Sequence, residues 1–325
     1  MSARRPSIPL SFFGMAVGLL ATANAWRVAA RLWHWSPAWA DAASVPGLAV
    51  WAALLVLYAR KLLADRAAVE AELAHPVQSS FAALVPVSTL LAAIVLLPLT
   101  RPLAEGVLVA ALALHVTTAL WLHGRFWQGG RAPEAATPAM YLPAVGQNFV
   151  AATALAAFGW PSAGMLFFGA GLLSWFAIES ILLQRASAGE PLPPALRPTL
   201  GIQLAPPVVG GVSYLALTSG VPDLFAHVLL GYGLFQALLL ARLLPWIRAQ
   251  GFAPGFWGFS FGVAALPTLA MRMAERGATD AVATLALPLF VLANLIIALL
   301  AVKTIALWVG GTLLPSAAPS PSAAH

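Results

Sequence analysis

The chain has no cysteine and very little charge. Lacking cysteine, it has no disulfides, no thiolate metal site and no thiol redox chemistry, so direct reduction of a substrate by a protein thiol is excluded. Only 9% of its 325 residues are charged, against roughly a quarter in soluble domains. An ordinary soluble surface cannot be built from so few. Carboxylates are the scarcer sign, with 11 Asp and Glu against 17 Lys and Arg. The pI near 10.5 nonetheless marks no nucleic-acid binder, because the basic residues sit singly or in pairs and form no footprint. Also missing are a nucleophile elbow, HExxH, a phosphate-cradling loop and an acidic pair suited to a metal. An enzyme would have to work from isolated residues, so none is expected, and no cofactor.

What fills the chain is apolar. Hydrophobic residues make up 61% of it, and the mean hydropathy is +0.86. A bilayer core of ~30 Å takes about 20 apolar residues per helix. Runs of that length predict an all-α integral membrane protein with ten spans, at 8–30, 45–64, 78–98, 103–124, 138–158, 161–184, 198–217, 222–246, 254–274 and 280–308. The runs are too long and too even for barrel strands. Arg4 and Arg5 resemble a signal-peptide start, but no small-residue cleavage site follows, so the first helix is read as retained. The expected organisation is a cytoplasmic N-terminus at 1–7, a ten-helix channel domain at 8–313 and a disordered cytoplasmic tail at 314–325.

Orientation follows from Lys and Arg. Twelve lie on the side of the N-terminus; five (Arg27, Arg31, Arg101, Arg272 and Arg276) lie on the other. The positive-inside rule places both termini in the cytoplasm.

Proline separates the spans into two sets. Pro86, Pro143, Pro206, Pro207 and Pro267 fall inside odd spans, whereas Pro46, Pro102, Pro161 and Pro222 begin even ones and Pro288 alone interrupts one. A broken helix frees a carbonyl that lipid cannot satisfy, so it belongs against protein or a watery cavity. Glycines agree: Gly14 and Gly18 lie in span one, Gly146 in five, Gly210 and Gly211 in seven, Gly258 and Gly262 in nine. The pattern predicts five helical hairpins around a central pore, odd helices inner and even helices outer. Trp121 and Trp175 are expected on the outer, lipid-facing surface.

Ionisable residues within the spans are Glu105, His115, Glu179 and His227, with Arg272 near an end. Each is a functional candidate by position. Glu179 is the deepest, read as a tie to another helix or as a proton-coupling carboxylate. His115 and His123 share a helix face eight residues apart but find no second pair, so they are read as core or interfacial rather than as haem or metal ligands. His75, in HPVQ, is read as a helix-start signal. The ninth span places four aromatics and two glycines in Phe256–Gly262. Phe256, Trp257 and Phe259 read as packing; Phe261 either packs or projects into a channel that a ring can block.

Five stretches in order, PLSFFGMAVGL (9–19), HPVQSSFAALVP (75–86), PAMYLPAVGQNFVAA (138–152), RPTLGIQLAPPVVG (197–210) and FWGFSFGVAALPT (256–268), resemble the tellurite-resistance/dicarboxylate transporter family. That family includes bacterial TehA, fungal malate transporters and the slow-type anion channels of guard cells. The resemblance, nearest to the bacterial members, implies a multi-pass protein of the bacterial inner membrane and a homotrimer with one pore per protomer. It places the pore gate on Phe261, a close-packed glycine on Gly14, and kinks on Pro86, Pro143, Pro206, Pro207 and Pro267, with Gly262 beside the gate. Pro9 lies too near its helix end to match a kink. The long tails that kinases address in the plant members are missing. The expected activity is an anion channel for chloride, nitrate or small carboxylates. The alternatives are a proton-coupled transporter of tellurite or C4-dicarboxylate working through Glu179, and a haem enzyme through His115.

Overall fold

The computed structural model describes residues 8–314. The expected tails at 1–7 and 315–325 lie outside them. Among the described residues the chain is helical and contains no strand. The α-helices are α1 (Phe13–Leu32), α2 (Pro37–Ala64), α3 (Arg66–Ala74), α4 (Leu84–Leu96), α5 (Arg101–Trp127), α6 (Gln147–Ala157), α7 (Pro161–Ala188), α8 (Ala205–Leu217), α9 (Leu224–Ile247), α10 (Ser260–Glu275) and α11 (Asp280–Val309).

Two kinds of helix alternate. The long ones, α2, α5, α7, α9 and α11, run 24 to 30 residues without interruption. At 1.5 Å per residue they reach roughly 36–45 Å, more than the ~30 Å hydrocarbon core. Four others, α4, α6, α8 and α10, hold only 11 to 16 residues, roughly 17–24 Å. Each short helix, and α1 with them, is entered through tighter or looser turns: Leu10–Phe12, Gln78–Ala83, Pro138–Met140 with a π turn at Leu142–Gly146, Pro194–Leu204 and Pro254–Phe259. Eight helical stretches are long and apolar enough to cross a membrane. The expected fifth and ninth spans are helical but broken, and are not among those eight.

Packing follows the same division. Helix α1 packs on α4 and α10, α10 on α8, α8 on α6 and α6 on α4, which closes a cycle of five. Each long helix lies against the member before it: α2 on α1, α5 on α4, α7 on α6, α9 on α8, α11 on α10. In the three ring members that qualify as spans, 67–78% of the apolar stretch is buried, against 17–33% in the long helices. Their outward faces leave Leu63, Leu120, Leu166 and Leu238 bare. Apolar surface on that scale needs lipid or another chain to cover it.

The prolines sit differently from expectation. Pro86 is the third residue of α4, and Pro206 and Pro207 are the second and third of α8. In a first turn the missing N–H breaks no helical bond, so the irregularity is the 3₁₀ segment ahead of them. Pro143 lies in the π turn, and Pro267 stands well inside α10. The long helices are not free of proline either: Pro46 and Pro245 join Pro288 inside α2, α9 and α11. Pro46 was expected at a helix start. Instead α2 begins at Pro37, where Ser36 caps it by accepting from Ala38 N at 3.3 Å.

Two local features position the ring. Helix α1 comes close to α10 at Gly18, where a Cβ would lie 2.3 Å from Ser260 Oγ; at Gly14 it would make ordinary contact, 3.6 Å from Trp257. The start of α1 is tied down by a buried ion pair. Lys61 Nζ lies 2.7 Å from Glu72 and 2.9 Å from Ile8 O, while Leu10 N donates to Glu72. Glu72 is supplied by α3, a short helix that hydropathy did not disclose.

Candidate functional site: two cavities on the helix-ring axis

Two small cavities lie within the ring. One, about 50 Å³, is lined from all five members: Ala21 and Asn24 of α1, Leu91 and Ile94 of α4, Val150 and Thr153 of α6, Val209 and Val212 of α8, and Phe261, Ala265, Thr268 and Arg272 of α10. The other, about 60 Å³, is lined by the 3₁₀ segments and first turns, including Gly14, Leu84, Leu142, Ala205, Gly258 and Phe261. At ~10–15 Å³ per water, each has room for a few waters. Phe261 is the one residue common to both linings. Its half-buried ring stands between them.

The second cavity is nearly apolar. In the first, Thr268 Oγ1 donates to Ala264 O at 2.7 Å, Thr153 Oγ1 to Phe149 O at 2.9 Å and Asn24 Nδ2 to Leu20 O at 3.2 Å. These donors are turned back on their own helices. The cation there is Arg272, whose Nε is buried without a hydrogen-bond partner. Glu275 is committed to Arg31 at 3.0 Å, and Asp41 to Arg27 at 3.1 Å. Arginine keeps its charge under any ordinary condition, so the far end of this cavity is positive. Arg272 follows Phe261 by eleven residues, three turns along one face of α10. That spacing was the available signal; reading Arg272 for topology and as one ionisable residue near a span end did not use it.

Two other arginines at this end serve backbone carbonyls. Arg27 donates to Val95 O at 3.1 Å, in the last turn of α4. Arg276 donates to Leu215 O at 3.0 Å, in the last turn of α8.

Glu179 lies away from both cavities. It accepts from the Tyr141 hydroxyl, from Trp175 Nε1 at 2.8 Å and from the Tyr232 hydroxyl at 3.0 Å. Gln236 in turn donates to Tyr232 at 2.9 Å. The carboxylate thus joins α7 to α9 and to Tyr141, the residue just before the π turn that leads into α6. Trp175 is consequently buried, 4% exposed, not lipid-facing as expected, while Trp121 is exposed. His115 is buried with Nδ1 2.6 Å from Gln147 Oε1. His123 bonds its own helix at Ala119 O, and His227 does the same at Asp223 O. Glu105 pairs with Arg101 at 2.8 Å. His75 Nδ1 accepts from Val77 N and Gln78 N, capping the turns that lead into α4.

The profile of the SLAC1 voltage-dependent anion channel family matches residues 7–305, nearly the whole chain. The chain belongs to this family. It is 36% identical over 299 residues to the tellurite resistance protein TehA homolog of Haemophilus influenzae, covering 92% of this chain and 90% of that one. It is also similar to two Arabidopsis thaliana proteins, the guard cell S-type anion channel SLAC1 (25% over 312 residues) and the S-type anion channel SLAH3 (24% over 306 residues). It spans 91% of itself in each case but only 55% and 48% of those longer chains. The likeness to the TehA homolog thus covers nine-tenths of both chains, whereas the likeness to the plant channels covers about half of theirs.

Proposed function

We propose that the chain is an anion channel of the bacterial inner membrane, passing chloride- or nitrate-sized anions along the axis enclosed by α1, α4, α6, α8 and α10. Phe261 is its gate. The observation that carries this reading is the position of Phe261 between the two axial cavities, as the one side chain they share. An ion cannot cross a dry apolar constriction without shedding water, at a cost far beyond thermal energy. Arg272 then raises anion concentration at the far mouth. Residues 8–313 form ten crossings in five hairpins, with the broken stretches 138–157 and 254–275 as the fifth and ninth. Both termini lie in the cytoplasm, and three copies assemble, each with its own pore. With an apolar wall, selectivity among small anions, including small carboxylates, follows dehydration cost.

The family assignment supports anion transport as such. Glu179 supports a channel over proton-coupled uptake of tellurite or dicarboxylate, since its three donors hold it and it lines neither axial cavity. Planar-bilayer recording of purified protein in chloride, nitrate, malate and tellurite separates the two. Unitary currents support the channel; flux that appears only with a pH gradient, and never as channel openings, overturns it.

A further inference from the structure

The face of α10 opposite Phe261 closes the floor of a third cavity. Phe259, Val263, Leu266 and Pro267 point there, while Phe261, Ala265, Thr268 and Arg272 face the axis. The walls are α9 and α11. At about 500 Å³ it has the size of a ligand pocket, and its lining is aliphatic, aromatic or glycine apart from two residues, Arg248 and Lys303. The outer faces beside it, Leu238 on α9 and Leu299 on α11, are bare apolar surface. The groove therefore opens to lipid.

The two cations sit at one end of it. Arg248 immediately follows α9, and Lys303 is six residues short of the end of α11. Both are exposed, and among the described residues neither side chain has a hydrogen bond or an ion pair. Arg197, near the same end, is engaged: it lies 4.2 Å over the Trp246 ring and donates to Trp246 O. Two unpaired cations above a long apolar slot complement one chemistry, an anionic head on a hydrocarbon tail. A second copy would have to bring a free carboxylate on its outer helices. On α2, α5 and α7, however, Asp41, Glu105 and Glu179 are all paired or bonded.

We propose that this groove binds an anionic phospholipid, with its phosphate against Arg248 and Lys303 and an acyl chain along Val263 and Pro267 behind the gate. The inference needs membrane residence only, so it stands or falls separately from conduction.

The test is native mass spectrometry of the full chain in neutral detergent, titrated with phosphatidylglycerol or with phosphatidylcholine of the same acyl chains. Wild type should take up phosphatidylglycerol preferentially. At the usual contribution of each basic residue to anionic-lipid attraction, the double variant Arg248→Gln/Lys303→Gln should lose about thirtyfold in that affinity. Ala241→Trp, which fills the exposed wall and keeps both cations, should also lose it; this covers misfolding of the double variant. Equal uptake of the two lipids by wild type overturns the proposal, as does unchanged phosphatidylglycerol uptake in either folded variant. Because the chain lacks cysteine, a single Leu292→Cys reports on the remaining occupant. Efficient disulfide crosslinking between copies through that position would give the groove to a second copy instead.

Discussion

Replacing Phe261 by alanine removes the ring between the two axial cavities and joins spaces of about 50 and 60 Å³ into one continuous void. Two effects compete. In an ordinary core the change costs about 3–5 kcal/mol of packing. Phe261 is only half-buried and faces open space on both sides, so it has fewer contacts to lose and the cost falls below that range. The gain is in the ion's barrier. An isolated charge in a dry, apolar constriction carries a penalty of many kcal/mol, which water in the merged cavity relieves. Recovery of even ~1.4 kcal/mol raises conductance about tenfold, and that is the minimum expected. The assay is chloride current in planar bilayers at matched protein amounts, with thermal stability measured in parallel.

Phe256→Ala is the control. Phe256 is 9% exposed, stacks between Phe252 and Phe259 at 5.8 and 6.0 Å, and lines the lipid-side groove rather than the axis. It should lose stability and gain no current. Phe261→Ala current equal to or below wild type, at normal protein level, refutes the gate. A rise in the Phe256 control alone moves the gate to another ring.

Arg272→Gln, made in the Phe261→Ala background so that the pore conducts, should lower chloride conductance several-fold to about tenfold. Reversal potentials in a salt gradient should shift toward weaker anion selectivity; unchanged values would remove Arg272 from the pathway. Glu179→Gln should cost about 1–3 kcal/mol of stability through its weakened donors, read by thermal denaturation, and leave chloride current intact. Loss of a pH-driven flux in that variant would establish coupled transport instead. A reporter fused after His325 should signal the cytoplasm, and a periplasmic signal would break the ten-crossing layout. Native mass spectrometry in mild detergent should show three copies, and a fully active monodisperse monomer would make assembly irrelevant to conduction.

The all-α membrane class was legible because hydropathy acts locally. The irregular starts of the ring helices were not. Pro86, Pro206 and Pro207 advertise a break, but only the backbone shows that it precedes them, in 3₁₀ turns at Gln78–Ala83 and Pro194–Leu204. Hydropathy likewise missed α3, whose Arg66, Glu70 and Glu72 are those of a surface helix, and began α2 eight residues late because it weighs Ser36 and Pro37 as polar rather than as a cap. The burial of Trp175 was half legible: Glu179 lies four residues on, within reach on one helix face, but Tyr232 comes from 53 residues away. Phe261 stood out among four aromatics only through the family resemblance, since composition cannot say which ring faces an axis.

Charge at the far mouth shows the same limit with a physical consequence. In the ten-crossing layout the five ring helices alternate with long ones, so all run the same way and their dipoles add. Their N-terminal ends then present positive potential at the cytoplasmic mouth without any charged side chain. Their C-terminal ends would present the opposite sign at the far mouth and repel an anion. There the arginines intervene. Arg31 and Arg272 lie in the last turns of α1 and α10, while Arg27 and Arg276 donate to last-turn carbonyls of α4 and α8. Four of the five ring helices thus have a guanidinium at the end where the backbone is negative. On that layout, four of the five residues that a positive-inside count treats as exceptions offset the helix dipoles that would repel an anion there; the fifth, Arg101, pairs with Glu105.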